Sequence, residues 1–68
     1  MSGFIFKQDL AGRYFPGYDK EVSRRLFARE LHTNSALMAD LQAAHYVKSQ
    51  KRLTPLQVQI ICRHLGEP

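Results

Sequence analysis

Leu53-Thr-Pro-Leu-Gln-Val-Gln-Ile-Ile-Cys-Arg-His-Leu-Gly66 is the stretch that decides the fold, because both ends of one helix are written into it. Thr54 is placed as N-cap. Pro55 follows at the first helical position, where its missing N–H costs nothing, and Gln57 stands where a capping box needs a side chain reaching back. Leu53 and Val58 flank the cap as a hydrophobic staple. Val58, Ile61, Cys62 and Leu65 recur at i, i+3, i+4 and i+7 as one apolar stripe, and Gly66 is placed to end the helix in a left-handed conformation. A helix so marked expects a core beneath it.

Sixty-eight residues make one domain, and a chain of that size buries only roughly 60% of its unfolded surface. A single cysteine removes the intramolecular disulfide as an aid to stability. With 44% hydrophobic and 24% charged residues the composition is that of a folded protein. No apolar run approaches the ~18 residues of a membrane span, and Met1-Ser-Gly-Phe-Ile-Phe-Lys7 lacks the basic and apolar segments of a signal peptide, so the expected address is cytoplasmic. The net charge of +4 and a pI near 9.6 point towards polyanionic partners.

Upstream of the capped helix, Phe4-Ile5-Phe6 reads as a short strand or an apolar anchor and is expected to be buried. Lys7 to Tyr14 suits a first helix with Leu10, Ala11 and Tyr14 on one face. Phe15-Pro16-Gly17-Tyr18 has the chemistry of a type II turn. Asp19 caps a second helix running to about His32, with Val22, Leu26, Phe27 and Leu31 on one half and Arg24, Arg25, Ala28, Arg29 and His32 on the other. Ser23 and Glu30 fall inside the apolar arc, and the pattern gives no account of Glu30 there. Thr33-Asn34-Ser35 offers caps for a third helix to about His45, carrying Leu37, Leu41 and Ala44. Tyr46 to Leu53 loses the helical period and reads as a small β element with Ser49-Gln50 at the tip of a hairpin.

These elements predict a mainly α domain of three to four short helices, helix-turn-helix or winged-helix-like, with a small β-hairpin. Its expected core is Phe6, Leu10, Tyr14, Val22, Leu26, Leu31, Leu37, Leu41, Leu53, Val58, Ile61 and Leu65.

Two basic segments are the candidate sites. In a helix-turn-helix spanning about Gln8 to His32, Lys20 would touch the DNA backbone, Ser23 or Arg24 would reach base edges, and Arg25 and Arg29 would meet phosphate. The turn is one residue longer than the common bacterial pattern and holds Pro16-Gly17 where that pattern has a single glycine. The alternative for this face is an ordinary solvated surface, partly neutralised by Asp19, Glu21 and Glu30. Lys48, Lys51 and Arg52 form a second cluster, a loop suited to phosphates if it lies beside the second helix. Tyr14, Phe15 and Tyr18 could stack on unpaired bases or, as aromatics beside a Pro-Gly turn more often do, clamp the turn to the core. Cys62 and His64 stand about 200° apart on their helix and cannot chelate one metal ion. No phosphate-cradling glycine loop and no paired carboxylates suggest catalysis, so neither an enzyme nor a cofactor is expected.

Leu10-Ala11, Tyr14-Phe15-Pro16, Arg24-Arg25-Leu26 and Thr54-Pro55…Gln57-Val58…Ile60…Leu65-Gly66-Glu67-Pro68 resemble a family of short bacterial proteins classed as a domain of unknown function, whose members end in a similar Leu-Gly-Glu-Pro. The resemblance runs from about Phe4 onward. His45 departs from it, standing where similar sequences have Gly before the Tyr. No functional residue follows from the resemblance. The expectation carried forward is a small nucleic-acid-binding protein, with double-stranded DNA favoured. The alternative is a protein–protein interaction module or small homodimer using Phe27 and Leu56 as exposed anchors.

Overall fold

Four helices and one two-stranded antiparallel ladder make up the computed structural model, which describes residues 5–68. Phe4 therefore lies outside the described residues. The order is β1 (Ile5–Phe6), α1 (Lys7–Tyr14), α2 (Lys20–Thr33), α3 (Ser35–Ala43), β2 (Arg52–Leu53) and α4 (Pro55–Leu65). No helix among the described residues is long and apolar enough to cross a membrane.

Each helix after the first starts on the side chain that its sequence provides. Asp19 accepts the Val22 N–H at 2.9 Å and Asn34 accepts the Leu37 N–H at 3.0 Å. Thr54 accepts from Gln57 N–H while the Gln57 side chain accepts from Thr54 N–H, the reciprocal capping box. α1 has no side-chain cap, and its first N–H, that of Lys7, is satisfied by the Lys51 carbonyl at 2.8 Å.

The helix ends show why particular residues stand where they do. Gly17 has φ 89°, the positive value that the third position of a type II turn requires. Gly66 has φ 87° and ψ 174°, a region essentially reserved for glycine, and its carbonyl accepts the Tyr14 hydroxyl at 2.6 Å. At the end of α3, His45 N–H donates to Gln42 O and Tyr46 N–H to Leu41 O, which is the Schellman pattern. That pattern places His45 at φ 66°, the one non-glycine residue with positive φ among the described residues. His45 is thus a non-glycine residue at a left-handed helix terminus.

The core is built from Leu10, Ala11, Phe27, Leu31, Leu37, Leu41, Leu53 and Ile61, with Tyr46 and Ile60 nearly as buried. The Tyr14 ring stacks on Phe27, centroids 5.8 Å apart. Burial, and next its hydrogen bond with the Cys62 thiol 3.5 Å away, push the Tyr14 phenol above its ordinary pKa and keep it a donor to Gly66.

Four expectations are corrected. Phe6, expected in the core, is 52% exposed. Phe27, expected as an exposed anchor, is wholly buried: the inward stripe of α2 is Ser23, Phe27 and Leu31, while Val22 and Leu26 are only half-buried. This turns Glu30 outward and resolves its anomalous placement. Ser23 takes its inward place because its hydroxyl donates to the Phe15 carbonyl at 2.9 Å. On α4 the inward residues are Gln57, Ile60 and Ile61, while Val58, Cys62 and Leu65 sit at the edge. Finally, residues 5–6 and 52–53 supply the small β element, but they pair with each other, Ile5 opposite Leu53 and Phe6 opposite Arg52. The intervening turn runs from Val47 to Gln50, closed by Gln50 N–H on Val47 O, so Lys48-Ser49 and not Ser49-Gln50 is its tip.

Candidate nucleic-acid interface

The two basic segments meet across one groove of about 670 Å³, where Arg24 faces Lys48, twenty-four positions on in the sequence. One wall is the side of α2 that carries Arg24, Ala28 and His32. The facing wall is the 46–51 loop with Lys48 and Lys51, and Phe6 and Lys7 close the groove where β1 passes into α1. Of the fixed charges lining it, four are cations (Lys7, Arg24, Lys48, Lys51) and one is a carboxylate, Asp9. The concave surface is therefore predominantly positive.

A buried glutamine holds the loop in this position. Gln57 is 1% exposed, and its amide donates to Ala44 O at 3.0 Å and accepts from Thr54 N–H at 3.0 Å and from Gln50 Nε2 at 2.6 Å. Gln50 in turn donates to Arg52 O and accepts from Val47 N–H. The backbone on both sides of Lys48 and Lys51 is therefore tied through two side-chain amides to the start of α4. Lys7 anchors the same loop from the other side, since its ammonium donates to Lys48 O at 3.1 Å and lies 5.0 Å from the centre of the Tyr46 ring. Its remaining N–H groups are left for the groove.

The expected site residues do not all stand together. Arg24, Lys48 and Lys51 line the groove. Arg25 and Arg29 are exposed on α2 outside it, at positions about 100° and 140° around the axis from Arg24, and so form the outer ridge next to the groove. Lys20 is exposed at the first position of α2. Arg52 is exposed in β2 with its guanidinium 5.7 Å from the centre of the Phe6 ring. Ser23 is 3% exposed and occupied with Phe15 O, so it cannot reach a base edge and leaves the site. Arg24 also pairs with Glu21 at 2.8 Å, an exposed i,i+3 contact of little energy that phosphate can displace. The other contact of a basic side chain with a carboxylate among the described residues is the 2.8 Å hydrogen bond between His64 and Asp40, which leaves Lys20, Arg25, Arg29, Lys48, Lys51 and Arg52 without a carboxylate partner there.

Lys7 and Phe6 are groove residues that local sequence does not reveal, because the pairing that brings them to the 46–51 loop spans most of the chain. Of the aromatics considered for base stacking, Tyr14 and Phe15 pack on the core, and Tyr18 is exposed away from the groove lining. No curated protein and no solved structure matches the chain. A family profile does match, over residues 2–68, and by that match the chain belongs to the family described as Domain of unknown function (DUF4248).

Proposed function

We propose that this protein binds nucleic acid, with double-stranded DNA as the target, through the outer ridge of α2 and the adjoining basic loop. The observation that carries the reading is the shared groove, which sets Lys48 and Lys51 opposite Arg24 on one face. Arg25 and Arg29 on the ridge extend that face, and neither has a carboxylate partner among the described residues. In this mode Lys20, Arg25, Arg29, Lys48 and Lys51 meet phosphates, while Arg24 reaches towards base edges. Fluorescence anisotropy with a mixed-sequence duplex at about 50 and 200 mM salt tests it. Contact with roughly five phosphates gives a loss of two to three decades in affinity over that range. No binding at the lower salt refutes the reading. The interaction-module alternative keeps Leu56, which is 52% exposed, but loses Phe27 to the core.

A further inference from the structure

Phe6 is half-exposed in a domain that has little apolar side chain to spare, and it lies in the cationic groove. Its backbone pairs with Arg52, whose guanidinium approaches the ring to 5.7 Å, and the next residue, Lys7, holds an ammonium at the groove wall. Beyond the ring, Ala28 with Leu31 beneath it gives the α2 wall an apolar patch between the cations. An aromatic ring, an apolar patch and four cations in a cleft of about 670 Å³ match the parts of an unpaired nucleotide: a flat base and a phosphate. A duplex does not use them in this way, since its base faces are stacked on one another and it presents only base edges and phosphates.

We infer that the groove takes single-stranded nucleic acid, with a base on the Phe6 ring and its phosphates among Lys7, Lys48 and Lys51. The inference rests on the nucleic-acid reading for the class of ligand and is independent of how α2 meets a duplex. It adds Phe6 and Lys7 to the interface and gives the groove an occupant beside the duplex contact of α2, an unpaired stretch of strand. Free nucleotides share the same chemistry, and only a strand spaces its phosphates along the groove between successive bases.

The test is anisotropy at about 50 mM salt with a labelled oligothymidylate of about ten nucleotides and a duplex of the same length. The proteins are the wild type, Phe6→Leu, Phe6→Trp and Lys51→Gln. Urea midpoints of all four establish that each is folded, and Phe6→Leu keeps apolar bulk in β1 so that loss of the π face is read separately from loss of structure. The expected result is that the wild type and Phe6→Trp bind the oligothymidylate alike, Phe6→Leu binds it about 5- to 100-fold more weakly, and duplex affinity is the same for all three. Unchanged oligothymidylate binding by Phe6→Leu, with weakened binding by Lys51→Gln, overturns the base platform. Duplex binding without oligothymidylate binding overturns the inference and leaves the proposed function standing. Absence of both removes both. Displacement of the oligothymidylate by thymidine monophosphate at equal nucleotide concentration overturns the strand in favour of a free nucleotide.

Discussion

Replacing Gln57 by Leu keeps much of the side-chain volume and removes every polar atom from a fully enclosed position. Three hydrogen bonds go: those to Ala44 O, from Thr54 N–H and from Gln50 Nε2. Gln50 is partly exposed and can turn to water, so its loss is small. Ala44 O and Thr54 N–H are left facing a hydrocarbon, at about 1–3 kcal/mol each. Burial of the new apolar side chain returns about 1.5–3 kcal/mol, as an upper bound. A net destabilisation of about 2 kcal/mol results, a large part of the roughly 3–5 kcal/mol that a core of this size supplies. Urea unfolding followed by far-UV circular dichroism measures it, with a midpoint shift of about 1–2 M at the slopes usual for small domains. Gln50→Ala is the internal reference, since it removes the outer half of the same network and should cost about 1 kcal/mol or less. The same variant should bind oligothymidylate and duplex more weakly even where it remains folded, because the loop carrying Lys48 and Lys51 has lost its tether. A Gln57→Leu midpoint no lower than that of Gln50→Ala would refute the idea that this amide organises the loop.

Thr54→Ala should lower stability by about 1 kcal/mol through loss of the cap on α4, read as a drop in the urea midpoint. His45→Gly should raise stability by about 0.5–1 kcal/mol, because relief of the left-handed backbone outweighs the greater freedom of glycine in the unfolded chain; a thermal midpoint unchanged or lowered contradicts this. Arg25→Ala and Arg29→Ala should each weaken duplex binding for all sequences and flatten its salt dependence by about one unit, and unchanged affinity takes the α2 ridge out of the interface.

The reading of the sequence succeeded where the signal is local. Asp19, Asn34 or a neighbour, Thr54, Gly17 and Gly66 were legible as caps and turns because their side chains, or lack of one, act within four residues. It failed where a polar residue is buried. Ser23 and Gln57 each occupy the centre of an inward helix face by satisfying a backbone carbonyl elsewhere in the chain, and a search for apolar stripes passes over them and turns the whole face. That error hid Phe27, promoted Val22 and displaced Glu30. Most of the cations at the groove and on the α2 ridge are those singled out from the sequence as exposed, since exposed Lys and Arg need no partner to be recognised. What joins them was not legible: the ladder between residues 5–6 and 52–53 has two residues per strand and no distinctive composition.

That short ladder also bears on the order of folding. It closes a loop of more than forty residues, and the loop entropy of such a closure predicts that it forms after the local contacts of α1, α2 and α3. The groove has Phe6 and Lys7 on one side and the 46–51 loop on another, so in that order it would be completed late in folding. Partly folded chains would carry the α2 arginines without the cleft, and binding to the cleft would then draw the folding equilibrium towards the completed domain.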